Sequence, residues 1–76
     1  MNDVFVLTIQ EPDCPIVARV FSTQKGAIDC AVEDAYDRNA NDEIRNEVSE
    51  NLALHGYAMG IDEVFYQIDE CPVLHQ

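Results

Sequence analysis

The chain is 76 residues long, 47% hydrophobic, with a mean hydropathy of -0.17, which fits one small globular domain over residues 1–76 with a core near the minimum that folds unaided. Its 15 Asp and Glu against 4 Lys and Arg give a net charge of -11 and a pI near 4.1. That balance excludes direct nucleic-acid binding, which needs cations to neutralise phosphates, and points to a basic protein surface as partner.

"VFVLTIQ", residues 4 to 10, is rich in β-branched and aromatic residues. Phe5, Leu7 and Ile9 fall on one face and Val4, Val6 and Thr8 on the other, as in a central strand. "EPDCP" then favours a turn, and "IVARVF", residues 16 to 21, resumes as a second strand, so the pair reads as an antiparallel hairpin.

Ser22 or Thr23 is placed to cap a helix over about residues 23 to 38, whose apolar side carries Ala27, Ile28, Ala31, Val32, Ala35 and Tyr36. Asn39 and Asn41 interrupt the period. Asn41 caps a second helix with Ile44, Val48 and Leu52 on its buried side, and Gly56 suits the left-handed position that ends it.

"GYAMG" reads as a glycine-bounded connection, and "DEVFYQID" as a third strand that alternates Val64, Tyr66 and Ile68 against Phe65, Gln67 and Asp69. "ECPVLHQ" reads as a short tail. The expected fold is α+β, a three-stranded and mainly antiparallel sheet with two helices packed on one face, in the order ββααβ.

Asp37, Asn39 and Asn41 alternate as the opening ligands of a calcium loop do, with Ile44 at the apolar eighth position. The loop then fails, because Asp42 stands where a sharp turn needs Gly and Val48 stands where a bidentate Glu belongs. Cys14, Cys30, Cys71, His55 and His75 show no metal-ligand spacing, so no metal and no cofactor is expected. An odd cysteine count without CxxC argues for reduced thiols, with Cys30 on the apolar side of the first helix and Cys14 and Cys71, both beside prolines, as candidates for proximity. Phosphate loops and nucleophile elbows are absent from the chain, and no catalytic residue is assigned; the protein is not read as an enzyme. With no apolar run of membrane length and no signal-like leader, a cytoplasmic monomer without membrane contact is expected.

Charge is distributed unevenly. Residues 1–25 carry a net -1 and residues 26–76 the remaining -10. Asp29, Glu33 and Asp37 recur at four-residue intervals on the first helix, while Glu43, Glu47 and Glu50 recur at four and three on the second, with Asp42 beside them. Like charges at that spacing repel by about 0.2–0.5 kcal/mol per pair, and only Asp34 with Arg38 and Asp42 with Arg45 read as compensating pairs. Four helical residues rise about 6 Å, close to the repeat of phosphates along one strand, so two adjacent rows have the layout of a short duplex.

The hairpin "VFVLTIQ...IVARVFST" leading into an A-I-x-x-A helix and a closing "VFYQID" strand, in an acidic chain of this size, resembles small phage-encoded anti-CRISPR proteins. The resemblance implies an inhibitor in the host cell that occupies the DNA-binding surface of a CRISPR effector complex. Those proteins share no common fold, so no residue is transferred by position. From the residues themselves, the expected partner-binding set is Asp29, Glu33, Asp37, Asp42, Glu43, Glu47 and Glu50. The alternative is an acidic binding module, an antitoxin or accessory subunit, acting through a hydrophobic patch of Tyr57, Met59 and Phe65.

Overall fold

The computed structural model describes residues 3–73, in the order β1 (Asp3–Gln10), β2 (Val17–Phe21), α1 (Gln24–Asp37), α2 (Asp42–His55), β3 (Tyr57–Met59) and β4 (Phe65–Pro72), with a 3-10 turn at Ile61–Glu63. The architecture is α+β, with helices on one face of an antiparallel sheet. The sheet has four strands rather than three, in spatial order β2-β1-β4-β3, so the chain runs ββααββ.

β1 is central because it pairs on both edges, with Leu7 opposite Arg19 of β2 and Ile68 of β4. Its alternation sends Leu7 and Ile9 into the core, where Tyr66 and Ala58 join them from β4 and β3. Leu7 and Tyr66 lose all contact with solvent.

Thr23 begins α1 by accepting the Gly26 N–H at 3.0 Å, and Ala27, Ala31 and Ala35 form a fully buried stripe of small side chains. Their size lets the helix lie close to the sheet. Asn39, at φ 69, ends the helix by donating its N–H to Tyr36, while the Ala40 N–H reaches back to Ala35. Asn41 caps α2 by accepting the Ile44 N–H at 2.9 Å, Val48 and Leu52 bury its inner face, and Gly56 at φ 80 closes it. The caps therefore lie where the sequence places them.

Four details differ from the sequence reading. Tyr57–Met59 is a strand rather than a connection, paired with β4 with Ala58 opposite Tyr66. β4 extends to Pro72, so residues 70–72 of the expected tail belong to the sheet, while residues 74–76 lie outside the described residues. Tyr36 is 61% exposed, because the alanines make the close approach and Tyr36 sits a quarter-turn beyond them. Cys71 pairs with Val4 and Cys14 follows the far end of β1, so the sheet separates these thiols by about 20 Å.

Among the described residues, no helix lies over the opposite sheet face. β1 presents Val4, Val6 and Thr8 there, and β2 presents Ala18 and Val20. β3 contributes Tyr57 and Met59, and β4 contributes Phe65, Gln67, Asp69 and Cys71. Tyr57 and Met59 are 54% and 60% exposed.

Candidate functional site

The carboxylates on the helices fall into two groups once their surroundings are examined. Asp29 is bonded at 2.9 Å to Lys25, one turn earlier on α1, and that bond raises the lysine's pKa. This pair adds to the two compensating pairs expected from sequence. Asp42 meets Arg45, and Asp42 and Glu43 both occupy the first turn of α2, where a negative charge is stabilised by the helix N-terminus. Asp29, Asp42 and Glu43 thus have local structural reasons to be acidic.

Glu33, Asp37, Glu47 and Glu50 have none. All four are exposed, and none forms an ion pair among the described residues. Asp37 is the last residue of α1, whose final turn holds no basic residue, so its charge faces the negative end of the helix dipole. These four residues keep their charges at a cost to folding.

The helix packing also fixes where the two rows point. The Arg45 guanidinium lies over the Tyr36 ring, 4.8 Å from its centroid, which marks the seam between α1 and α2. Glu43 and Glu47, each two residues from Arg45, lie about 200° around α2 and face away from that seam. Glu50 continues their row. On α1, Glu33 and Asp37 lean to the other flank and rim a groove of about 360 Å³ against β2, with Ile9, Val17 and Cys30 as its floor and Arg19 on its opposite wall. The sequence places the rows side by side; the structure sets them on opposite flanks of the Tyr36–Arg45 seam, joined only at the turn through Asp37 and Asp42.

Beneath α1 runs a polar network that ties helix to sheet. Asp34 accepts from the Arg38 Nε at 2.7 Å and from the Tyr66 hydroxyl at 2.7 Å, and Arg38 also reaches Glu11 at 2.5 Å. The bond from Arg38 holds the Glu11 carboxyl below its ordinary pKa, and both carboxylates push the Arg38 pKa upward. Burial, and then the bond to Asp34, raise the Tyr66 hydroxyl. Burial likewise raises the Cys30 thiol, which leaves it a poor nucleophile. The network consumes its own charges and offers no open acid or base.

The residues around the expected calcium loop have other roles, although Asp37 stays unpaired among the described residues. Asn41 caps α2, Asn39 turns the chain and Asp42 pairs with Arg45. No group of three metal-ligating side chains converges among the described residues. Among those residues, too, no helix is long and apolar enough to cross a membrane.

On the uncovered sheet face, Tyr57 stacks on Phe65 with ring centroids 6.3 Å apart, and His55 lies 5.9 Å beyond Tyr57. Met59, opposite Phe65, completes the patch named from the sequence. Sequence reasoning missed its counterpart at Val4, Val6 and Val20. The signal was present in β1, which is apolar on both faces, a pattern that belongs to strands covered on both sides.

What the fold and surface define is a two-layer α+β domain with an acidic helical layer and a largely uncharged sheet face. In comparisons with known proteins, no family model, no curated protein and no solved structure matches this chain.

Proposed function

We propose that this protein is an acidic inhibitor of the anti-CRISPR kind, which imitates the phosphates of DNA and occupies the basic DNA-binding surface of a CRISPR effector complex. The observation that carries the reading is the set Glu33, Asp37, Glu47 and Glu50, exposed and uncompensated on two capped helices. Asp29, Asp42 and Glu43 extend the rows. The protein acts by occupancy rather than catalysis, in the cytoplasm of the host cell, and its association is fast and weakened by salt.

The test is capture of the target from host lysate at low and high salt, with duplex DNA as competitor. DNA and the protein should exclude one another, and the variant D37K/E47K/E50K should stay folded and lose the target. A target that binds DNA and this protein together, or binds the variant as tightly as the wild type, refutes the reading.

A second reading is favoured by the exposure of Tyr57 and Met59: an antitoxin-like or accessory module that grips its partner through the apolar patch. It predicts capture that survives high salt and fails on Tyr57→Ala.

A further inference from the structure

β2 closes one side of the sheet, and among the described residues no strand pairs with its outer edge. Its register with β1 runs unbroken from Val17 to Phe21, without the proline or bulge that commonly blunts such an edge. Alternate residues of β2 therefore direct their N–H and C=O groups away from the sheet.

The same strand borders the groove beside α1. Val17 and Arg19 stand opposite Ile9 and Leu7, which places them on the helix side of the sheet, and both are exposed there. α1 runs back along β2. A Cβ at Gly26 would lie 3.5 Å from the Phe21 ring, while Asp37, thirteen residues before the end of the next helix turn by turn along the same flank, lines the groove together with Val17.

We infer that this edge and groove receive an extended segment of a partner protein with Lys or Arg at alternate positions, which pairs with β2 as a fifth strand and sets its basic side chains against Glu33 and Asp37. Three features name this occupant.

The first is the open edge. Its outward backbone groups are matched in full only by another extended backbone, which neither a small cation nor a nucleic acid supplies.

The second is charge over an apolar floor. Glu11 and Asp34 are held by Arg38, so that network keeps one excess negative charge. Outside it, Glu33 and Asp37 face Arg19, which leaves a second. Two cationic side chains neutralise the groove, and their aliphatic stems suit the floor of Ile9, Val17 and Cys30.

The third is spacing. Glu33 and Asp37 are four residues apart on α1, a rise of about 6 Å, and same-face side chains of an extended chain repeat at about 6.7 Å. The side chains between them point to the other sheet face, beside Ala18 and Val20, where Val20 is 66% exposed. The fitting segment thus alternates basic and apolar residues. A second copy of this chain fits poorly, because its β2 carries a single cation, Arg19, and brings another acidic helix with it.

The inference goes beyond the DNA-mimic reading. It needs Glu33 and Asp37 as contacts, but neither Glu47 and Glu50 nor a target that binds DNA. Calorimetric titration of the full chain with capped synthetic peptides, in about 0.15 M salt, tests it. A peptide of about six alternating Lys and Val residues should bind with a Kd of about 10–100 μM. The same residues arranged as a Lys block and a Val block keep the charge and lose the two-faced pattern, so they should bind at least about tenfold more weakly. With the alternating peptide bound, hydrogen exchange followed by NMR should slow at alternate amides of β2 and stay unchanged at β3, the other edge. E33Q/D37N should weaken binding about tenfold, R19E should tighten it at least about threefold, and E47Q/E50Q should leave it within about twofold. Circular dichroism should match the wild type in all three, since the substituted side chains are exposed. No binding at about 1 mM peptide, equal binding of the block peptide, or protection at β3 instead of β2 overturns the proposal. So does R19E that weakens binding, or E47Q/E50Q that costs as much as E33Q/D37N. Exclusion of DNA from the target is read in a separate experiment, so either inference can fail alone.

Discussion

Asp34 joins α1 to the sheet, and its removal has a cost that follows from its partners. In Asp34→Ala the fully buried Tyr66 loses the acceptor of its hydroxyl, and a hydrogen bond to a charged group contributes about 1.5–3 kcal/mol. Arg38 keeps Glu11, and the Arg38–Asp34 pair is one quarter exposed on each side, so its loss adds less than about 1 kcal/mol. Alanine returns about 0.5 kcal/mol through helix propensity. The expected net loss is about 2 kcal/mol, which in urea moves the midpoint by about 2 M for a chain of this size. Tyr66→Phe removes only the hydroxyl and should cost about 1 kcal/mol. Because both substitutions cut the same bond, the double variant should lose about 1 kcal/mol less than the sum. Urea titration of the four proteins by far-ultraviolet circular dichroism measures this. Additive losses, or a midpoint shift under about 0.5 M for Asp34→Ala, would show that the bond does not stabilise the fold.

Reversing Asp37 alone should stabilise the protein by about 0.5 kcal/mol, since Asp37→Lys puts a cation at the C-terminus of α1; thermal unfolding that shows a loss contradicts the helix-end argument. Gly60→Ala should lower the melting temperature by at least about 4 °C, because the added methyl meets the Tyr66 ring at 2.8 Å and that ring is fully buried. Asn41→Ala should cost about 1 kcal/mol through loss of the α2 cap, measurable by the same titration. Two carboxyls give opposite pH dependences. Glu11 has a lowered pKa, so its contribution is present above its unfolded value near 4.5 and is lost as pH falls through the folded value. Glu70 is raised above 4.5 by its contact with Asp3, so its ionisation destabilises the fold as pH rises through the folded value. Asp3→Asn should therefore raise the melting temperature at pH 7 relative to the wild type and make little difference near pH 3, whereas an equal effect at both would exclude a charge origin.

The parts of the fold that were legible in the sequence are those decided within a few residues. Thr23, Asn41 and Gly56 delimit the helices because a cap needs only its own turn, and the Asp34–Arg38 and Asp42–Arg45 pairs follow from helical spacing. β3 was not legible. "YAM" is too short to show a period, and its strand character comes from pairing with β4 beyond the 3-10 turn. Asp34's other partner, Tyr66, and Arg38's other partner, Glu11, lie 32 and 27 residues away, beyond any local rule. For the surface, the spacing of the carboxylates gave the membership of each row. Which way each row faces depended on the Tyr36–Arg45 contact, which no single helix determines.

The central place of β1 also bears on how the chain acquires its shape. Its pairing with β2 is a local hairpin, but its pairing with β4 sets Leu7 against Ile68 and requires both helices to intervene. During synthesis, β1 therefore leaves the ribosome long before its second neighbour exists, with one edge unpaired and valines on the face that no helix will cover. Such a hairpin is the part of the nascent chain most prone to pair with another copy of itself. The acids that repel such encounters lie mostly in the helices translated next, so the risk is greatest in the interval before α1 and α2 emerge.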